Sequence, residues 1–371
     1  MVGGGSLIAL LLLMIFVPPQ NKAGVIYVGT MVYWGSFICN NPHFMISYQL
    51  LYSGYGAKLH QFSHTRPMWW RYVNVGILVP AVLLLLLGIM TYDGVTHASY
   101  QWLGYGTDAM FFFVGWHYMK QAFGMFIMLS ALRKVYYSAL QRRIMLWNSY
   151  ATWFFAWGFP HPPVPVDNET LKSIKNAIII PLTTVSLPAW LVCILGLAVL
   201  FTTIGVFAVL WQVWVKEGKR PPISAMIGYF SMYYLFAFIF WMHPLWIMVA
   251  PFFHSLQYLF FVIAYKRGHA RKELNNLARK LGQQPAMHDA KKIRGRHERF
   301  YAYAFLLGLS FFLIIPLCID LYAMHLPRPI PAGFFMTAFS IFINIHHYFI
   351  DNVIWRKENS DVGDHLFQWS R

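Results

Sequence analysis

The sequence predicts an all-α fold: a polytopic integral membrane helical bundle of about ten transmembrane helices, with the N- and C-termini cytoplasmic. Three observations predict it. Of 371 residues, 58% are hydrophobic and 11% are charged, against roughly 25% charged in soluble domains. The apolar residues gather in runs of the ~20 residues that a bilayer requires. The 29 Lys and Arg, which outnumber the 13 Asp and Glu, cluster between alternate runs. This composition excludes a water-soluble nucleic-acid binder, so the expected partner is the lipid bilayer and not nucleic acid.

The runs justify themselves in order. Residues 6–17 form a short first helix, and Met1 to Gly5 carry no Lys or Arg, which gives a secretory signal little support. The second run, 24–56, is too long for one straight crossing, and Cys39-Asn40-Asn41-Pro42 predicts a break in it because proline removes a backbone donor. Runs at 72–92, 108–132 and 147–158 follow, the last closed by Pro160-His161-Pro162-Pro163. The run at 177–215 opens with an interfacial stretch before Pro188, and 223–241, 245–264, 300–323 and 332–354 complete the set. No repeat or long linker divides the chain, so 1–371 reads as a single integral membrane domain with a basic cytoplasmic loop at 265–299 and a cytoplasmic tail at 355–371. Cys39, Cys193 and Cys318 lie in apolar runs without CxxC spacing and read as packing residues.

Charge gives the orientation. With the N-terminus inside, the segments 57–71, 133–146, 216–222, 265–299 and the tail hold 24 Lys and Arg. Lys22, Lys172, Lys175 and Arg328 lie opposite, and Lys120 lies within a span. The asymmetry of 24 against 4 is the positive-inside pattern of a multi-pass protein of the cell inner membrane. The 265–299 loop carries 11 of these basic residues and three acids, so Ala270 to Leu281 can rest on anionic lipid, although a solvated topology signal is the preferred reading.

An ionisable side chain at mid-bilayer costs about 2.5 to 3.5 kcal/mol, which makes such residues functional candidates. His43 stands beside the expected break, His117 and His254 lie ten residues into their runs, and His346-His347 lie past the middle of the last. Ten residues is about 15 Å, half of a ~30 Å core, so four helices bring imidazoles to one layer. Lys120 and Gln121 follow His117 by three and four positions, Gln257 and Tyr258 follow His254 likewise, and Asp351 follows His347 by four. Each group therefore shares one helix face. A lone intramembrane histidine is more often a bond between helices, and Lys120 can pair with Asp351. The conjunction favours a buried metal site, with His43, His117, His254 and His346 as ligands and His347 as the substitute. Asp351 would accept the distal imidazole N–H and fix its tautomer. Neutral imidazoles suit iron, copper, zinc or nickel without selecting among them, and Fe(2+) follows from the chemistry expected.

Pro42-His43, His117-Tyr118, Phe253-His254-Ser255 and the segment His346 to Asp351 followed by Arg356 together resemble the Brp/Blh family of multi-pass bacterial and archaeal carotenoid oxygenases. The resemblance covers about 40 residues in four short motifs. It implies a histidine-ligated non-haem iron oxygenase that uses dioxygen to oxidise or cleave an apolar, lipid-dissolved small molecule, a carotenoid or other polyene. The chain departs from the family at Tyr258, where a histidine is usual, with His347 or His243 as replacements. Phe44, Met45, Tyr118 and Met119 are also bulkier than the family's residues around its first two motifs, which argues for a substrate other than β-carotene. In this reading Gln121, Gln257 and Tyr258 orient oxygen or substrate, Lys120 neutralises Asp351 or holds a polar substrate end, and Phe111 to Phe113 with Phe252 and Phe253 line an apolar tunnel, although plain helix packing accounts for most of these aromatic residues.

Three other classes stay open. A proton- or metal-coupled transporter would use the same His, Lys and Asp groups as a relay. A lipid desaturase or hydroxylase is suggested by His60 and His64, an HxxxH pair, but Ile343 stands where an HxxHH box needs histidine. His60 and His64 read more simply as an interfacial loop beside Arg66, Trp69 and Trp70. A structural scaffold would use the polar residues only to join helices.

Overall fold

The computed structural model describes residues 2–158, 187–237, 243, 245–282, 287–326, 330, 333–356, 358 and 359. The 160–163 turn, the stretch 177–186 and the tail beyond 359 lie outside the described residues. Those described form helices and no strand. The chain packs as two compact units, and both α2 and α10 pass from one into the other.

The first unit holds α1 (Val2–Phe16), the start of α2 (Lys22–Tyr52), most of α6 (Gln101–Leu132), α7 (Ala139–Gly158), α8 (Ala189–Val215), α9 (Ile223–Ala237) and the start of α10 (Trp246–Leu281) through His254. Leu10, Phe126, Met145, Val213, Tyr229 and Ala250 are buried in its core. Polar side chains there bond helix to helix. Asn148 Nδ2 donates to Thr202 Oγ1 at 3.1 Å and Thr203 Oγ1 at 2.9 Å, which ties α7 to α8. The Trp153 indole donates to Phe112 O at 2.7 Å. The other side of α8 is bare: Trp190, Leu197, Phe201, Ile204, Phe207 and Trp211 are each more than half exposed. Trp190 and Trp211 are separated by about 32 Å of helix at 1.5 Å per residue, close to the thickness of a hydrocarbon core with an aromatic belt at each face.

The second unit holds the rest of α2 from Gly35, α3 (Tyr55–Gln61), α4 (Arg66–Val73), α5 (Val79–His97), α10 from Ser255, α11 (Met287–Leu309), α12 (Ile315–Ala323) and α13 (Phe334–Ile354). Leu51, Phe62, Met68, Tyr72, Ile350 and Val353 form a buried cluster. Two π-helical turns, Asn74–Leu78 and Ser310–Ile314, each stop just before a proline-containing helix start. Val79 N bonds to Asn74 O and Ile315 N to Ser310 O, the wider i→i+5 pattern, one residue ahead of Pro80 and Pro316. Arg66–His97 and Lys291–Ala323 therefore run through their prolines and, with Ala189–Val215, are the three helices among the described residues long and apolar enough to cross a membrane. The helices that carry the histidines are similarly long or nearly so, but diluted by polar side chains.

The expected break at 39–42 is absent, because α2 continues through Pro42. Tertiary contacts of the second unit outweigh the local penalty of about 3 kcal/mol. His43 Nδ1 donates to Asn40 O at 2.5 Å, and Ser255 Oγ donates to Asn40 Oδ1 at 2.6 Å. Gly308 lets α11 press against α2, since a Cβ there would lie 3.0 Å from the Asn41 carbonyl carbon. The basic segment at 265–299 is not an open loop. It extends α10 to Leu281, where Gly282 at φ 66° ends the helix, and α11 resumes at Met287.

Candidate metal centre

In the second unit His43, His347 and Asp351 are almost wholly buried. The His43 ring is fixed by its backbone bond. A carbonyl only accepts, so Nδ1 carries the proton toward Asn40 O, and Nε2 presents its lone pair. That nitrogen lies 3.2 Å from His347 Nε2. Asp351 Oδ2 lies 3.5 Å from the same His347 nitrogen. The carboxylate thus stands on the side where the two imidazoles meet, not at the distal nitrogen expected from the sequence, and reads as a further ligand.

A hydroxyl chain aims it. Ser47 Oγ donates to Asp351 Oδ1 at 2.7 Å, and with its proton spent there it accepts from Tyr258 OH at 2.5 Å. Tyr258 OH is also 3.4 Å from Asp351 Oδ1. Sequence alone does not point to Ser47 or Tyr48, and it points to Asn40 only as part of the expected break at 39–42. Ser47 follows His43 by one helical turn, and that spacing is the signal that marks it.

His346 faces elsewhere. Its Nε2 donates to Val75 O at 2.8 Å and its Nδ1 accepts from Tyr48 OH at 2.9 Å, so both nitrogens are engaged. The cause is Pro80: without an N–H it leaves the carbonyls five and four residues earlier short of a donor. His346 takes Val75 O, and Tyr52 OH takes Gly76 O at 3.1 Å. The structure thus brings His347, the expected substitute, to His43 instead of His346. His243 is likewise engaged by backbone, with Nε2 donating to Val17 O at 2.9 Å and Nδ1 accepting from Leu245 N at 3.1 Å.

In the first unit the sequence-predicted pair His117 and His254 is buried, with Nε2 atoms 3.1 Å apart. Tyr118 packs on the His254 ring at 4.3 Å between centroids. Lys120 and Gln121 are half-buried on α6, and Gln257 is half-buried on α10 beyond the point where the chain enters the second unit. Cys39 is buried, whereas Cys193 and Cys318 are exposed.

The donor sets fit a metal ion. Two nitrogens bound at ~2.0 to 2.1 Å with tetrahedral or octahedral angles lie about 2.9 to 3.4 Å apart, the range of both histidine pairs. Neutral imidazole with one carboxylate oxygen suits a divalent transition metal. The chain therefore holds buried histidine groups that can bind a metal. No protein-family model, curated protein or solved structure matches this chain.

Proposed function

We propose that this chain is a multi-pass inner-membrane protein whose buried histidines hold ferrous iron, and that it oxidises or cleaves an apolar, lipid-dissolved polyene with dioxygen. The observation that carries the reading is the meeting of the His43 lone pair with His347 Nε2 beside the Asp351 carboxylate. Iron held by His43, His347 and Asp351, and by His117 and His254, would supply the one-electron and dioxygen chemistry that side chains lack. Cleavage of one double bond by one dioxygen gives two carbonyls, so no external reductant is needed.

The chain's own residues bind and orient. Asn40 holds His43 in one tautomer, and Ser47 with Tyr258 holds the carboxylate in place. An apolar cavity of about 350 Å³ lined by Leu12, Phe16, Val28, Phe252 and Phe253 gives the first unit room for hydrocarbon, in keeping with the apolar character of small-molecule sites. The remaining crossings, with the basic segments cytoplasmic, follow the positive-inside pattern. Metal analysis of the purified protein tests the reading. Iron at one or two ions per chain, lost in His43→Ala, His347→Ala, His117→Ala and His254→Ala, is the expected result.

A second reading draws on the hydroxyl chain from Tyr258 through Ser47 to Asp351, which can also conduct a proton. Metal-free protein that carries protons across liposome membranes, and loses this in Ser47→Ala, would replace the oxygenase by a proton-coupled transporter.

A further inference from the structure

A second polar site lies in the same unit as His43 and serves neither reading. A cavity of about 650 Å³ is lined by Lys58 of α3, Lys266, His269 and Glu273 of α10, and Arg296 and His297 of α11. Glu273 accepts from Arg296, so the one carboxylate among these residues is already matched by a cation. Lys58 and Lys266 add two further positive charges to the same wall. Lys58 Nζ donates to Leu50 O at 2.5 Å, which anchors its ammonium at the end of α2. Lys266 Nζ sits 3.8 Å above the Phe300 ring. Gln49, Ser53 and Asn359 add neutral hydrogen-bonding groups to the lining.

We propose that this cavity binds a phosphate-bearing anion, either free phosphate or the headgroup of an anionic lipid. Two ammonium groups beside a mutually neutralised Arg296–Glu273 pair, around one partly open space, favour an acceptor-rich dianion or monoanion, which ammonium groups recognise by charge-assisted hydrogen bonds. Burial and the neighbouring Lys58 hold Lys266 down to about 8, a penalty that an anion between the two cations relieves. The volume exceeds that of phosphate and accommodates a glycerol as well. The apolar stretch of α10 gives way to charge at Tyr265-Lys266-Arg267, the level at which a headgroup would stand.

The test is calorimetric titration of the full chain in uncharged detergent with inorganic phosphate and, separately, with dihexanoyl phosphatidic acid. Saturable binding is expected for at least one, weakened about tenfold or more by Lys266→Met and by Lys58→Met. Lys291→Met, an exposed α11 lysine outside the cavity, should bind as the wild type does. Binding of both ligands identifies free phosphate chemistry, and binding of the lipid alone identifies a headgroup. Absence of saturable binding by either, or equal binding by the wild type and both cavity variants, overturns the proposal.

Discussion

Adjacent histidines on α13 divide two tasks between them, and the division is a matter of rotation. Successive helical residues point about 100° apart, so His346 and His347 cannot both face α2's imidazole. His347→Phe should abolish metal retention, whereas His346→Phe should retain the metal and lower stability by about 1 to 3 kcal/mol by stranding Val75 O. Metal content and thermal melting read the two effects separately, and equal metal loss in both would remove the distinction. Ser47→Ala leaves Asp351 Oδ1 without its 2.7 Å donor, and a stability loss of about 1.5 to 3 kcal/mol is expected for a bond to a charged group. The sequence placed the histidines in one layer and Asp351 on the His347 face by spacing alone. It did not reveal which of the two adjacent rings is spent on backbone, because that depends on the carbonyls opened by Pro80 on another helix. Lys266 offers a pH test. Facing Lys58, His269, Glu273, Arg296 and His297, it has a folded-state value depressed to about 8, so the unfolded chain binds more protons above that pH. Wild-type stability should rise relative to Lys266→Met between pH 8 and about 10 as the ammonium loses its charge. A constant difference across that range would contradict the assignment.

Helices in the second unit are positioned by two contacts that no hydropathy profile contains. Asp320 of α12 reaches the N-terminus of α13, where Oδ1 accepts from Phe335 N at 2.9 Å and Oδ2 from Met336 N at 3.2 Å. A buried carboxylate at that end meets exposed N–H groups and the positive end of the helix dipole. Asp320→Ala should cost about 2 to 4 kcal/mol, the sum of a lost cap and lost charge-assisted bonds. Because α13 carries His347 and Asp351, metal affinity should fall with it, and Asp320→Asn should recover part of both. Gly308 is the other contact. A Cβ there would meet Asn41 backbone atoms at 3.0 and 3.1 Å, and backbone yields less readily than a flexible side chain. Gly308→Ala should therefore destabilise by about 1 to 3 kcal/mol and displace His43, two residues from Asn41, with weaker metal retention as the reading. The apolar portions of most helices were legible from composition, but their polar extensions, such as 139–146 of α7 and 287–299 of α11, were not. The continuity of α2 was not, since the local cost of Pro42 is visible in the sequence while the contacts that offset it come from α10 and α11.

For the molecule as a whole, composition announces a bilayer, but the number of crossings is less directly written. Among the described residues three helices pass on length and apolarity together, and the histidine-bearing helices fall short of that standard because polar side chains dilute them. Orientation rests instead on where the Lys and Arg residues fall. The exposed face of α8, with Trp190 near one end and Trp211 near the other, supplies a ruler of bilayer length. If the basic segments are cytoplasmic, single cysteines introduced there must share one side. In a background lacking Cys39, Cys193 and Cys318, Thr65→Cys and Asn276→Cys should react with a membrane-impermeant maleimide in inside-out vesicles and resist it in right-side-out ones. Gln20→Cys, exposed in the turn between α1 and α2, and Met324→Cys, exposed at the C-terminal cap of α12, should show the reverse. Labelling of Thr65 and Gln20 positions from the same side would break the alternation between the first two crossings and with it the ten-span arrangement. Labelling of Asn276 from the outer face would place the anion cavity beyond the cytoplasm and leave the 24 basic residues without an orientation to explain.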